Sequence, residues 1–288
     1  MCELMAMSAN RPAEVGHYLS RLMVRGGKTG PHADGWGVAY YEGRAARIFK
    51  EPTPAAESRL LAMLAEDPFK STALIAHIRR ANPSIFGRAT GNTHPFEREW
   101  NGRSWVFAHN GKLSGLHEKR IRPDSRFLPV GETDSELAFC HILEAIARGI
   151  GRRHRFSQAM LVDTIRPVVD ELATFGEFNF ILGDGECLYV HAHTNLHVLE
   201  PTISADTDAL KMILLATAPL TAEPWRALAP GSIHVYRQGE DVFHAHPAAL
   251  PAKHKSASQR WADVTSVLEL TGLGRKRWSD ALASGQTA

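Results

Sequence analysis

Cys2 holds two reactive groups on one residue once the initiator methionine is removed: a thiol and a free α-amine. An α-amino group titrates near pH ~7.7–8.0 and a thiol near ~8.5, so at neutral pH the amine can accept the thiol proton and release a sulfur nucleophile. That chemistry is conditional on loss of Met1. The competing reading is a small buried cysteine at the head of a strand. Four polar clusters follow: His77-Ile78-Arg79-Arg80-Ala81-Asn82, Asn92-Thr93-His94-Pro95-Phe96, His109-Asn110-Gly111-Lys112-Leu113 and Gly131-Glu132-Thr133-Asp134-Ser135-Glu136. Taken singly, each also suits a turn, a helix cap or a surface ion pair.

These groups must be positioned by strands and helices, and the apolar patterning supplies both. Residues 3–9 read as a short strand leading away from Cys2, and 36–41 and 45–50 as a hairpin around Glu42-Gly43-Arg44. Residues 55–65 have helical spacing that ends at Asp67-Pro68. Runs of strand length at 72–78 and 104–108 each end in one of the polar clusters, where sites are commonly assembled. Thr133 is placed as the N-cap of a helix through 137–146, with Glu136 in the capping-box position. A second helix is expected over 157–172, then strands at 178–182 and 188–192 around Gly183-Asp184-Gly185-Glu186, and further strands at 212–217 and 233–236. This order predicts a layered α+β sandwich rather than regular strand–helix alternation.

Composition excludes several other classes. The 288-residue chain carries 33 basic and 31 acidic residues, so no overall field draws it to nucleic acid or an anionic membrane. The basic run Gly151-Arg152-Arg153-His154-Arg155 reads as a solvated loop between helices. Three cysteines, Cys2, Cys140 and Cys187, form neither a disulfide framework nor a zinc ribbon, and Cys140 and Cys187 are expected in the core. With no leader-like segment before Cys2 and no apolar run of about 18 residues, a soluble, cytoplasmic protein is expected.

Taken together and in order with Asp34-Gly35-Trp36-Gly37, the N-terminal cysteine and the four clusters resemble the class II glutamine amidotransferases, the cysteine branch of the N-terminal nucleophile hydrolases. The resemblance spans roughly residues 2 to 245 and is closest to the stand-alone YafJ-like branch. It implies a four-layer αββα fold, two antiparallel sheets packed between helical layers. It also implies roles. Cys2 attacks the amide carbonyl, and its α-amine relays the proton. The Asn110 side-chain NH2 and the Gly111 backbone N–H stabilise the oxyanion from a position just after an apolar strand. Arg79 grips the substrate α-carboxylate and Asp134 accepts from its α-ammonium, matching the family's glutamine-binding pair. Arg80 is the poorer candidate, because neighbouring strand residues point to opposite faces.

Two features depart from the larger biosynthetic members. Arg80-Ala81-Asn82 stands where those have an aromatic residue and then Ala-Thr, and the loop at 27–33 is longer, so the pocket floor and the substrate-covering loop are expected to differ. No metal is expected. His77, His94 and His109 are read as strand braces acting through hydrogen bonds, and no cofactor is called for. The chain divides into an amidotransferase domain at 2–251 and a basic, aromatic extension at 252–288 with a helix at 259–270. The expected activity is hydrolysis of the γ-amide of glutamine or a γ-glutamyl compound through a γ-glutamyl thioester. The alternatives are ammonia donation to a separate synthase subunit, or a noncatalytic γ-glutamyl-binding subunit. Neither nucleic acid nor membrane is expected as a partner.

Overall fold

The computed structural model describes residues 2–246 except 67–68, 81–86, 120, 122, 154 and 202–209. Thirteen strands run β1 Glu3–Ala13, β2 Trp36–Glu42, β3 Ala45–Glu51, β4 Ser71–Ile78, β5 Phe96–Glu99, β6 Ser104–Leu113, β7 Gly176–Gly183, β8 Leu188–Ala192, β9 His197–Leu199, β10 Met212–Ala216, β11 Arg226–Ala227, β12 Ser232–Arg237 and β13 Glu240–Ala245. Four α-helices accompany them: α1 Gly16–Arg25, α2 Arg59–Glu66, α3 Asp134–Gly149 and α4 Gln158–Ala173. One sheet has the order β11-β9-β10-β1-β4-β2-β3 and the other β13-β12-β8-β7-β6-β5. Every pairing is antiparallel.

Three apolar layers separate four structural ones. Met5, Met7, Leu74 and Ala76 pack under Leu19 and Leu22 of α1 and Leu61 and Leu64 of α2. The alternate residues, Leu4, Ala6 and Ile75, face Val106, Ala108 and Ile181 of the second sheet. That sheet turns Phe107, Phe178 and Phe180 towards Phe139, Leu143, Ile165 and Val169 of α3 and α4. The arrangement is the αββα sandwich, and its strict alternation decides where the polar residues go. Cys2 and Arg79 share the parity of Leu4 and Ile75, and Asn110 that of Val106 and Ala108. They meet between the sheets, at the end where the apolar filling stops.

Several elements differ from expectation. β1 continues to Ala13, past the point where polar Asn10 and Arg11 suggest an end, through an irregularity between Ser8 and Ala13. The helix expected at 55–65 is broken: a 3-10 turn at Ala55–Glu57 is followed by α2, and Ser58 Oγ accepts the Leu61 N–H at 3.0 Å to start the new helix. α1 has no expectation behind it, because Val15 at its head offers no side-chain cap. Cys140 and Cys187 are buried in the core as expected. Asp67-Pro68, His154 and the extension at 252–288, with its expected helix, lie outside the described residues. Among the described residues no helix is long and apolar enough to cross a membrane.

Candidate active site

Cys2 sits immediately before β1, whose register with β4, Glu3 opposite Ile78 and Leu4 opposite His77, brings it level with the residues that follow β4. The Arg80 N–H donates to Sγ at 3.4 Å, and the thiol lies 3.6 Å from the Arg80 carbonyl oxygen. The strand end is pinned on its other side, where Leu4 N–H donates to Thr217 Oγ1 at 3.1 Å and Thr217 N–H returns to the Leu4 carbonyl at 3.2 Å. Burial pushes the Cys2 thiol up from its ordinary value, against the opposing pull of the Arg80 N–H and the Arg79 charge. Asp134 adds to the upward shift, so its charge also reaches the sulfur. The thiol is therefore protonated at neutral pH and needs a base. Among the described residues, Sγ has only the Arg80 backbone as a hydrogen-bond partner, and no imidazole or carboxylate takes that role.

Arg79 is buried at 4% exposure, while Arg80 is exposed, as strand alternation demands. Its main chain is tied to the Asp34-Gly35 segment, with Arg79 N–H to Gly35 O at 2.7 Å and Asp34 N–H to Arg79 O at 3.0 Å. Its guanidinium donates to the Asp34 carbonyl at 3.3 Å, while the Asp34 carboxylate pairs with Arg88 at 3.1 Å. No carboxylate of the described residues forms an ion pair with Arg79. A buried guanidinium left without an anion suits a ligand carboxylate.

Asn110 and Gly111 do not follow a strand as expected; they lie within β6, which runs to Leu113 because β7 pairs with it to the end, Asn110 opposite Asn179 and Gly111 opposite Phe178. Gly111 has φ +151°, and a Cβ there would lie 1.9 Å from the Glu177 carbonyl oxygen, so no other residue fits. N–H groups alternate between the two edges of a strand. Ser114 N–H goes to Phe175 O on the β7 side at 2.9 Å, and Leu113 N–H goes to Asp134 on the other side. The Gly111 N–H therefore shares the Leu113 edge, which β5 leaves uncovered beyond Phe107. Asn110, itself buried, donates from Nδ2 to the Cys2 carbonyl across the gap between the sheets. An amide donor and a thiol are thus neighbours.

Asp134 begins α3. One of its oxygens accepts the Leu113 N–H at 2.7 Å and the other the Ser135 N–H at 2.8 Å, lashing the helix start to the end of β6. Thr133 caps the helix, its Oγ1 accepting from Glu136 N–H at 3.2 Å. The reciprocal half of the expected capping box does not form: Glu136 accepts instead from the N–H groups of Val130 at 3.0 Å and Gly131 at 2.6 Å and pairs with Arg98. Carbonyl chemistry also settles the His109 tautomer. Its Nε2 lies 3.0 Å from the Glu177 carbonyl, which can only accept, and burial lowers its pKa, so Nε2 carries the single proton. Nδ1 then accepts from Ser135 Oγ at 2.8 Å.

His109 is thus the brace expected of it, but His77 and His94 are not. Neither ring has a hydrogen-bond partner among the described residues. They stack on each other with centroids 4.1 Å apart, and His94 packs on Phe96 at 4.5 Å. Burial pushes His77 down to about 3 and His94 well below its ordinary value, so both are neutral packing groups. No group of three or more His, Cys, Asp or Glu among the described residues is arranged to hold a metal ion.

The structure thus brings Cys2, Arg79, Asn110, Gly111 and Asp134 to one place. Ser135 and Asn179 join the site without an expectation from the sequence. Ser135 is hidden in an ordinary helix start. Asn179 left a signal, an amide in the middle of the apolar run Phe178 to Leu182, where Asn is disfavoured. Ala81 and Asn82 lie outside the described residues.

Comparison with known proteins gives a consistent picture. The family model of glutamine amidotransferases class-II matches residues 1–260. YafJ of Escherichia coli K12, provisionally named a glutamine amidotransferase, is 38% identical over 260 residues, covering 84% of this chain and all of that protein. A crystal structure from Pseudomonas aeruginosa PA01, described as a predicted glutamine amidotransferase, superposes with TM-score 0.61 at 31% identity, covering 84% of this chain and all of that one. Bacillus subtilis glutamine phosphoribosylpyrophosphate amidotransferase shares the fold at TM-score 0.58 and 19% identity, with 82% of this chain covering 47% of that enzyme.

Proposed function

Since the chain belongs to the class II glutamine amidotransferases, we propose that it cleaves the γ-amide of glutamine or a γ-glutamyl compound, with Cys2 as nucleophile and a γ-glutamyl thioester as intermediate. The observation that carries the reading is the meeting, across two sheets, of the Cys2 backbone with the Asn110 amide, flanked by a buried Arg79 without a carboxylate partner among the described residues and an anchored Asp134. The substrate's α-carboxylate pairs with Arg79 and its α-ammonium with Asp134, whose oxygens each keep a lone pair beyond the backbone bonds they accept.

In the reaction, the free α-amine of Cys2 takes the thiol proton, and sulfur bonds to the γ-carbonyl carbon. The negative charge moving onto oxygen is met by Asn110 Nδ2 and the Gly111 N–H, donors already in place before reaction. Collapse of the adduct breaks the C–N bond, and the departing ammonia or amine takes the proton from the α-ammonium. Water then gives a proton to the α-amine and its oxygen to the thioester carbon, releasing glutamate and restoring the thiol. Because Sγ has no imidazole or carboxylate partner among the described residues, the α-amine is the group left to serve as base.

The test is a screen of the purified protein against glutamine and a panel of γ-glutamyl amides and peptides, reading both ammonia and glutamate. Glutamate release from at least one compound is expected. Release only in the presence of an acceptor protein favours the ammonia-donating subunit, and no release from any compound favours a noncatalytic binding subunit and overturns the proposal.

A further inference from the structure

Asn110 can donate to an oxyanion only if its NH2, and not its oxygen, faces Cys2, and nothing in the Asn side chain itself decides between these two settings. The Cys2 carbonyl, which can only accept, favours the NH2 on its side, and the opposite side is set one strand away. Asn179, opposite Asn110 on β7 and wholly buried, has its Oδ1 filled by two backbone donors, the N–H groups of His193 and Thr194, each at 2.8 Å. Its orientation is therefore forced, and its NH2 must point the other way. That NH2 donates to Thr194 Oγ1 at 2.9 Å and lies 3.4 Å from the Asn110 carbonyl oxygen and 3.5 Å from Asn110 Oδ1. The Thr194 hydroxyl is itself committed, donating to Glu177 at 2.8 Å.

We propose that Asn179 is a positioning residue that sets the facing of the Asn110 amide and so makes the oxyanion donor available. Turning Asn110 over would set two NH2 groups against each other on the Asn179 side and two oxygens against each other on the Cys2 side. Both contacts are repulsive in a buried site, where an unmatched polar group is costly. The long contacts to Asn110 mark an orienting field rather than a strong bond, while the short bonds that lock Asn179 come from the loop at 193–194. This inference rests on the amidohydrolase reading for its kinetic consequence, but not for its structural one.

Asn179→Asp tests it. Aspartate keeps an oxygen for the His193 and Thr194 N–H groups and removes the NH2 that faces Asn110 and donates to Thr194 Oγ1, whose hydroxyl can turn to donate to the new carboxylate oxygen. The expected loss in kcat is about ten- to a hundredfold, below the ~10²–10³ typical of deleting an oxyanion donor outright, with KM for the hydrolysed γ-glutamyl compound within about twofold of wild type. In an Asn110→Ala background the same change should have no further effect on kcat, because the group it orients is gone. An independent readout needs no turnover: in wild type the Asn110 side-chain NH2 gives NMR cross-relaxation to Cys2, and in Asn179→Asp it gives it to residue 179. Unchanged cross-relaxation in the variant, or a kcat loss of the same factor with Asn110 absent, overturns the proposal. An inert wild type that still shows the NMR switch removes the hydrolase reading and leaves the orientation intact.

Discussion

Two strand ends face each other across the site, and they are held very differently. Beside the second sheet, the Asp134 carboxylate accepts the Leu113 and Ser135 N–H groups, His109 is held on Glu177, and Asn179, which faces Asn110, is held by the His193 and Thr194 N–H groups. On the first sheet, among the described residues, Cys2 Sγ has two long backbone contacts and the Arg79 guanidinium one at 3.3 Å. Under the proposed function one side is built before substrate arrives, as donors to a developing charge must be. The other holds a thiol and a guanidinium without a side-chain partner among the described residues, suited under the proposed function to a substrate anion and to proton transfer to the N-terminal amine. The division teaches that organisation and reactivity are supplied by different sheets, and that errors in each should have different kinetic signatures.

Cys2→Ala should produce the largest effect, reducing γ-glutamyl hydrolysis to background while the thermal unfolding midpoint stays near wild type. Residual turnover above background would move the nucleophile off the first sheet altogether. Asn110→Ala comes next, with kcat down by about 10²–10³ and KM little changed, since the lost donor acts on the transition state. Equal losses in binding and kcat would blur the distinction between the two sides. Arg79→Ala should show the opposite pattern, weakening substrate binding by about 1.5–3 kcal/mol, or roughly ten- to a hundredfold, through loss of a charge-assisted contact. Glutamate bound at native affinity by that variant would remove Arg79 from the pocket.

The smallest effect is on stability and concerns the histidines beneath the site. An unfolded imidazole gains its proton near pH 6.5, whereas His77 stays neutral in the fold down to about 3. The unfolded state therefore binds more protons between these values, and stability falls as pH drops from 6.5 towards 3, with no contribution above 6.5. The slope is up to about 1.4 kcal/mol per pH unit for each such group. Unfolding midpoints measured at pH 7.5 and 5 should converge in His77→Leu compared with wild type. An unaltered difference would show that His77 is charged or solvated in the native protein.

Much of this was legible in the residues, for physical reasons. Cys2 and Arg79 stand at strand ends and Asp134 at a capped helix start, and apolar periodicity predicts those boundaries to within a few residues, while Asn110 and Gly111 lie further inside a strand than it predicts. What stayed hidden depends on partners distant in sequence. β6 extends through Asn110 and Gly111 only because β7 pairs with it, and the turn-like Asn-Gly pair disguised this. Residue type predicts hydrogen-bond roles for His77 and His94, yet their rings pack on each other and His94 on Phe96. The Ser135 hydroxyl and the Asn179 amide reach partners distant in sequence, His109 Nδ1 for the one and the N–H groups of His193 and Thr194 for the other.

The central claim is that the α-amine of Cys2 is the base, and the most direct test is a chain with one alanine inserted between Met1 and Cys2. Intact mass should establish for the unaltered protein that Met1 is gone, and for the variant that alanine precedes the cysteine. The thiol, Asn110 and Arg79 are then all present, and only the free amine on Cys2 is missing. The account predicts that the processed wild type hydrolyses a γ-glutamyl amide and the variant does so at a rate near background. Equal kcat in the two proteins, or full activity in wild-type protein that still carries Met1, would contradict it.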